Sequence, residues 1–130
     1  EVRPRARLGT SKEVAAYAAQ KLSPLDHEEM WVVALDGQNG VRGFRRVAQG
    51  GLHGCSVAAR DILRTALLEA ASAMVLVHNH PSGDPTPSVE DIAMTRVVAE
   101  AADLVGIALV DHVVVTRSAH TSMLDLGILP

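Results

Sequence analysis

Two histidines, His78 and His80, stand two residues apart at the end of an apolar run that covers residues 73–77. The run has strand character, and side chains at positions i and i+2 of a strand point to the same face. Both imidazole rings are therefore expected to project side by side. Because neutral imidazole is a common ligand of divalent metals such as zinc, the pair predicts a metal site.

A loop rich in proline and glycine, residues 81–87, follows the second histidine and leads towards Asp91. Proline fixes φ and glycine permits tight turns, so the loop can hold a carboxylate from the next element in one position. Two imidazoles and one carboxylate leave a fourth tetrahedral position for water, as in catalytic zinc sites. We predict that His78, His80 and Asp91 bind Zn²⁺ and that Asp84, inside the loop, forms a turn.

The segment Ser88-x-x-Asp91 also has a purely structural interpretation. A serine followed three residues later by an acidic residue is typical of a capping box, and negative charge is favoured in the first turn of a helix. Taken alone, this pattern favours capping, and a His-x-His pair taken alone favours two partly exposed histidines. A stiff loop that joins the two patterns favours the metal site, because structural needs alone do not require that combination.

Catalysis by a metal-activated water requires a base that does not bind the metal, and Glu28 and Glu29 are the candidates. Both lie at the start of an apolar run, residues 30–35, which predicts a buried strand. Neighbouring strand residues point to opposite faces, so only one of the two can serve. The residues alone leave the choice open, and two solvated glutamates remain the structural alternative.

The spacing His-x-His, seven residues, Ser88, two residues, Asp91 resembles the signature of the JAMM (MPN+) metalloproteases. The loop Pro-Ser-Gly-Asp-Pro-Thr-Pro makes the chain most similar to the RadC branch, from about Glu28 to Leu129. The resemblance implies a cytidine-deaminase-like α/β/α fold and zinc-dependent hydrolysis of an amide bond. It also implies a helical region that precedes this domain in RadC-like proteins.

The resemblance further implies roles for single residues. The RadC pattern has a glutamate eight residues before the aspartate that closes the strand, which selects Glu28 against Asp36, with Glu29 as the fallback. The serine that corresponds to Ser88 helps to stabilise the oxyanion in JAMM enzymes. The chain departs from the family at Ala58-Ala59, where a His-Pro pair is usual. This departure leaves the ligands intact and affects the loop before the second helix.

The other ligand-type residues are expected outside the first coordination sphere. His112 follows Asp111 in an apolar segment and is predicted to be a core residue or a neighbour of the site. Cys55 could reach the open coordination position, although an inert thiol is the simpler interpretation. Three further histidines have no ligand spacing and are expected at the surface: His27, His53 and His120.

Composition restricts the class of protein. The chain has 130 residues, enough for one domain with a substantial core, and its net charge of −3 includes no long basic run. The domain is therefore not expected to bind nucleic acid as its main task. One cysteine excludes an internal disulfide, and no segment is long or apolar enough to cross a membrane, so a cytoplasmic protein is expected.

The N-terminal part is predicted to be separate from the domain. Residues 1–8 contain three arginines without periodicity and are expected to form an arm. Thr10-x-x-Glu13 is a capping box that opens a helix, which we expect to be peripheral. We therefore divide the chain into residues 1–24, the arm and peripheral helix, and residues 25–130, the JAMM-type domain.

The remaining pattern predicts strands and helices in alternation. An Asn-Gly turn at residues 39–40 joins the buried strand to an exposed return strand, residues 41–48. The arginines of that strand, Arg42, Arg45 and Arg46, indicate a sheet edge. A homodimer or a partner could use this edge, although a solvated edge is the simpler interpretation. Further along the chain we predict a helix capped by Ser56, the strand 73–77, a helix over 88–105 and a strand over 107–115 interrupted at Asp111-His112. The order predicts a three-layer α/β/α fold.

The function predicted from these residues is zinc-dependent hydrolysis of a peptide or isopeptide bond. The expected partner is a peptide or protein substrate. Two other classes stay open: a JAMM-fold interaction module that acts as a scaffold without hydrolysis, and a DNA-repair-associated factor. The second follows only from the label that RadC-like proteins carry, and the charge distribution does not favour it.

Overall fold

A computed structural model describes residues 6–50 and 57–130 of the chain. The elements in chain order are α1 (Ser11–Leu22), β1 (Glu29–Leu35), β2 (Val41–Gln49), α2 (Ala59–Leu68), β3 (Ala73–Asn79), α3 (Val89–Leu104), β4 (Ala108–Val115) and β5 (His120–Ser122). The strands form one mixed sheet in the order β2-β1-β3-β4-β5. Only the β3–β4 pair is parallel within these described strands, and α3 provides its crossover.

The sheet has a separate hydrophobic core on each face. On one face α1 packs over alternate strand residues such as Val33, Val75 and Val113. On the other face α2 and α3 cover the intervening positions, which include Val32 and Leu76. Alternation of apolar residues over both faces is what a sheet buried between two helical layers requires. The predicted three-layer α/β/α fold is confirmed.

Helix α1 is not peripheral, contrary to the prediction. It begins after the N-cap Thr10, whose side chain accepts a hydrogen bond from the Glu13 backbone N–H, as the capping box predicted. Its apolar stripe is buried against the sheet and consists of Val14, Ala15, Ala18 and Leu22. The sequence showed the stripe but not its partner, because β4, which α1 contacts most, lies more than eighty residues further along the chain. The end of the predicted arm also pairs with the sheet, since the N–H of Val41 in β2 donates to the Ala6 carbonyl at 2.8 Å and Arg7 forms a β-bridge with Gly40.

The β1–β2 hairpin forms at the predicted turn. Asn39 has a φ of 62°, a conformation that asparagine tolerates better than most residues, and β2 is an edge strand. Two of its arginines contact the end of α2: Arg42 donates to the Glu69 carbonyl and Arg45 pairs with the Glu69 carboxylate at 2.7 Å.

Helix α2 begins later than predicted. Its N-cap is Ala58, which provides no side-chain hydrogen bond, so the expected Ser56 cap is replaced. Ser56 itself lies outside the described residues, together with His53 and Cys55. Ile62 and Ala66 are buried, whereas Leu67 is half exposed.

The elements that carry the candidate ligands are longer or more regular than predicted. β3 runs through His78 to Asn79, and β4 continues through Asp111 and His112 with a register shift instead of an interruption. Helix α3 starts after Ser88, and Gly106, with a φ of 78°, follows its C-cap. Within the described ranges, no helix combines the length and apolar character needed to cross a bilayer.

The position of α1 can be tested by mutation. Leu22 is fully buried and Gln20 is exposed on the same helix. We expect Leu22→Ala to lower the free energy of unfolding by about 2–5 kcal/mol, because it opens a cavity in the core, and Gln20→Ala to change it by less than about 0.5 kcal/mol. Urea unfolding followed by circular dichroism would measure both. If both substitutions change the free energy of unfolding by the same small amount, α1 does not pack against the sheet through Leu22.

Candidate metal centre

The strand pairing brings Glu28, His78 and His80 to one face of the sheet. Met30 pairs with His78 across the antiparallel β1–β3 ladder, and continuing this register by two residues places Glu28 opposite His80. Glu28 Oε1 lies 3.6 Å from His80 Nε2. Ligand atoms of the three residues all lie within 4.8 Å of one another, so this group could hold a metal ion.

Helix α3 brings Asp91 to the same point. Its Oδ2 atom lies 3.3 Å from His78 Nε2 and 3.4 Å from His80 Nε2, and the two Nε2 atoms are 2.9 Å apart. His78 is almost completely buried, whereas the side chains of His80 and Asp91 retain 14% and 18% exposure. The site is therefore closed on the side of the sheet and open to solvent at its rim.

Capping and metal ligation are compatible for Ser88 and Asp91. The Asp91 N–H donates to Ser88 Oγ at 3.0 Å, and the Ser88 N–H donates to Asp91 Oδ2 at 2.9 Å, which completes the capping box. The oxygen that closes the box is the one that faces both histidines. The structural interpretation of this segment is thus confirmed, and the box holds the carboxylate in the orientation that a ligand needs.

The loop of residues 81–87 orients the ring of His80. His80 Nδ1 lies 2.9 Å from the Asp84 carbonyl oxygen, which can only accept a hydrogen bond. His80 therefore carries a proton on Nδ1, and the neutral ring presents a lone pair at Nε2. The Asp84 carboxylate accepts a hydrogen bond from the Thr86 N–H, so Asp84 forms a turn as predicted.

Behind His78 lies His112, which has no exposed surface. Its Nε2 atom is 2.7 Å from His78 Nδ1, and its Nδ1 atom is 2.6 Å from Thr95 Oγ1. Burial lowers the pKa of His112 well below its ordinary value, so the ring is neutral. The sequence left His112 as either a core residue or a neighbour of the site, and it is both.

Glu29 points away from the site. Its buried carboxylate accepts hydrogen bonds from Trp31 Nε1 at 2.9 Å and faces His27 Nε2 at 2.8 Å on the other side of the sheet. Burial alone would raise the pKa of Glu29, but the hydrogen bonds from His27 and Trp31 outweigh it and hold the pKa below the ordinary value. The contacts of Glu29 are therefore structural, and Glu28 is the glutamate that lies beside His78 and His80.

Sequence analysis missed two residues that position the site. Asn79, between the two histidines, accepts from the Glu29 N–H and donates to the His27 carbonyl, each at 2.8 Å, which fixes the backbone on both sides of Glu28. Thr95 lies on the buried side of α3, and its hydroxyl contacts His112. A polar residue four positions after Asp91 on the buried side of a helix was the available signal for Thr95. Nothing in the local pattern indicated the role of Asn79.

The charges at the site are strongly coupled. The Asp91 carboxylate can accept a hydrogen bond from protonated His80, which raises the pKa of His80 despite partial burial. Burial alone would raise the pKa of Asp91, but the neighbouring imidazole rings of His78 and His80 outweigh it and hold the pKa far below its usual range. A positive charge between these groups is therefore favourable, and a proton can provide it when no metal does.

The two described histidines with no predicted role lie apart from this cluster. His120 is exposed, as expected, and His27 is partly buried between Asp26 and Glu29.

Fold and site together define a class: an α/β/α domain in which the end of a central strand and the start of a crossover helix bring a His-x-His pair, a glutamate and an aspartate together. Residues 8–128 match the family model of the RadC-like JAB domain. The chain belongs to this family, and its mixed five-stranded sheet agrees with the JAB/MPN fold.

Curated relatives extend the match over most of the chain. A UPF0758 protein of Syntrophomonas wolfei is 39% identical over 116 residues, which cover 89% of this chain and 49% of the relative. UPF0758 proteins of Desulforudis audaxviator and Pelobacter propionicus are each 37% identical, over 88% and 95% of this chain and 50% and 54% of theirs. The chain spans about half the length of the curated relatives it matches.

The coupling between His80 and Asp91 predicts a pH dependence of stability in chelator-treated protein. The folded-state pKa of His80 is raised, so its contribution is fully present below pH 6.5 and is lost as the pH rises through the folded pKa. The pKa of Asp91 is lowered, so its contribution is present above pH 3.8 and is lost as the pH falls. We expect Asp91→Asn to flatten the fall in unfolding free energy between about pH 6 and 8.

Urea unfolding at several pH values would measure this difference. His27 also has a raised pKa, but its contribution is common to both proteins and cancels in the comparison. Parallel curves for the wild type and Asp91→Asn would show that the pair is not coupled in solution.

Proposed function

We propose that this domain is a zinc-dependent hydrolase that cleaves amide bonds in peptides or proteins. One observation carries the proposal: two imidazole nitrogens and a carboxylate oxygen face each other at 2.9–3.4 Å. Such a group of acceptors is unfavourable unless a cation lies between them. The structure uses a carbonyl contact and a capping box to hold them there, which supports a site built for a metal.

The donor set supports zinc. Two imidazoles and one carboxylate are typical of catalytic zinc sites, in which the fourth position is open. In this proposal His78, His80 and Asp91 hold the ion, and Glu28 lies on the exposed side of His80. When bound, zinc supplies Lewis acidity, which lowers the pKa of water and polarises a carbonyl.

Glu28 is the proposed general base. Its side chain is 21% exposed, so water and a substrate can reach it, and its contact with His80 keeps it beside the ligands. In that position it can accept a proton from the attacking water and donate it to the leaving amine, which needs a carboxylate near the metal but not committed to it.

Ser88 is proposed to stabilise the oxyanion. Its Oγ atom accepts the Asp91 N–H, which uses one lone pair and leaves the hydroxyl proton for donation. Capping therefore does not prevent Ser88 from donating to a developing negative charge. The geometry of the cap instead fixes the Oγ atom that would provide the donor.

The open rim of the site supports a peptide or protein substrate. The side chains of Glu28, His80 and Asp91 are 21%, 14% and 18% exposed, so the carbonyl group of an extended chain can approach them from solvent.

Metal content tests the ligands. We expect about one zinc per chain in the wild type, and less than a tenth of that in His80→Ala and Asp91→Ala, because three protein ligands are the minimum for a stable site. Elemental analysis of purified protein would measure it. His120→Ala, which replaces an exposed histidine, is the matched control and should keep its zinc. Unchanged zinc in both ligand variants would refute the assignment.

Hydrolysis tests the base. We expect Glu28→Gln to bind zinc like the wild type but to lose at least about 100-fold in kcat/KM, because proton transfer by a positioned carboxylate contributes that much or more. The substrates are a panel of fluorescence-quenched peptides and of isopeptide-linked proteins. Glu90→Gln, an exposed glutamate at the start of α3, is the control. Full activity in Glu28→Gln, or no cleavage by a zinc-loaded wild type, would contradict the proposed function.

A further inference from the structure

A chain of polar contacts connects helix α3 to His78 behind the proposed ligands. Thr95 Oγ1 lies 2.6 Å from the backbone carbonyl oxygen of Asp91 and 2.6 Å from His112 Nδ1. His112 Nε2 lies 2.7 Å from His78 Nδ1. Thr95, His112 and His78 are all buried, so water does not compete for these contacts.

The Asp91 carbonyl oxygen, at the start of this chain of contacts, fixes the donor and the acceptor of every hydrogen bond that follows. The Asp91 carbonyl oxygen can only accept, so the Thr95 hydroxyl must donate its single proton there. Thr95 Oγ1 then has only lone pairs to offer to His112. His112 has no exposed surface, and a ring without water around it is unfavourable as a cation, so it carries one proton. That proton must lie on Nδ1, and His112 Nε2 carries a lone pair.

The last contact sets the tautomer of His78. The lone pair of His112 Nε2 accepts a proton from His78 Nδ1, which leaves His78 Nε2 bare where it faces His80 and Asp91. We propose that Thr95 and His112 are positioning residues that hold His78 in its metal-binding tautomer. This inference rests on the proposed metal site, because a metal ion there needs a His78 Nε2 atom that carries no proton.

The two proposed histidine ligands have different surroundings, so a different group accepts the Nδ1 proton of each. His80 follows the strand, and the Asp84 carbonyl of the loop takes its Nδ1 proton. His78 is inside β3 beside the parallel strand β4, whose carbonyl groups are committed to the ladder. The side chain of His112 in β4 reaches the His78 Nδ1 atom with its Nε2 atom, and its own Nδ1 atom contacts Thr95 of α3.

Helix α3 therefore serves the site twice. Asp91 supplies a ligand oxygen, and its own backbone carbonyl begins the chain of contacts that prepares His78. The ligand and the tautomer control are one helical turn apart, so the helix position sets both together.

Replacing Thr95 by valine tests this coupling. Valine keeps the shape but removes the hydroxyl, so the Nδ1 proton of His112 would be buried without an acceptor. A buried N–H without a partner is less tolerated than an unpaired acceptor, so the His112 proton should move to Nε2 and donate to His78. His78 would then carry its proton on Nε2, where it obstructs the metal. Thr95→Ser keeps the hydroxyl and is the matched control.

The primary measurement is the ring tautomer of His78 in chelator-treated protein, from two-bond ¹H–¹⁵N correlation spectra. The inference predicts a proton on Nδ1 in the wild type and Thr95→Ser, and on Nε2 in Thr95→Val. Zinc titration with a competing chelator should show affinity lowered about 10–100-fold in Thr95→Val only. Backbone amide spectra would show whether each variant is folded.

Each outcome decides the inference. A wild-type His78 with its proton on Nε2 overturns it, and so does a folded Thr95→Val with unchanged tautomer and zinc affinity. If Thr95→Val does not fold, the wild-type tautomer and a His112→Phe variant, which removes the acceptor, decide it. Failure of the proposed hydrolysis is separate: zinc-loaded wild type that cleaves nothing would contradict the function but leave the tautomer result intact.

Discussion

The close approach of His78 Nε2, His80 Nε2 and Asp91 Oδ2 is the constraint on which the rest of the site depends. Three electron-rich atoms within 3.4 Å repel one another without a cation, so each must be held by a contact behind it. The Asp84 carbonyl, the ring of His112 and the N–H of Ser88 are those contacts. Every element around the site provides one of them, which explains why the loop, β4 and the start of α3 meet at the end of β3.

The sheet registers convert these contacts into a fixed geometry. Antiparallel pairing of Met30 with His78 brings Glu28 to His80, while parallel pairing of Leu76 with His112 brings the second imidazole behind His78. A slip of one residue in either ladder would turn these side chains to the opposite face. The packed cores on both faces oppose such a slip, because it would exchange the residues that each helical layer packs against and disrupt the fit of both cores. The same strand registers therefore determine both the packing of the cores and the geometry of the site.

Helix α1 shows which structural features a local sequence pattern can predict and which it cannot. Its cap at Thr10 and its apolar stripe were correct from the sequence, because both depend on residues within one or two turns. Its burial against β4 was not, because an amphipathic helix shows that it needs a partner but not which one. The Ser56 cap was replaced by Ala58 for a related reason: a capping residue is only one influence on where a helix starts, and packing decides among several.

By itself the sequence determined the α/β/α order, the His-x-His pair on one strand face and the Ser88–Asp91 cap, since each follows from a period or spacing of a few residues. Membership of the RadC-like JAB family agrees with that local reading. The family resemblance had already selected Glu28 over Glu29, and the tertiary structure placed Glu28 beside His80. Only the tertiary structure gave Asn79 its contacts and joined Thr95 through His112 to His78. Those relations cross between strands and helices distant in sequence. They depend on register and packing, which no short spacing encodes.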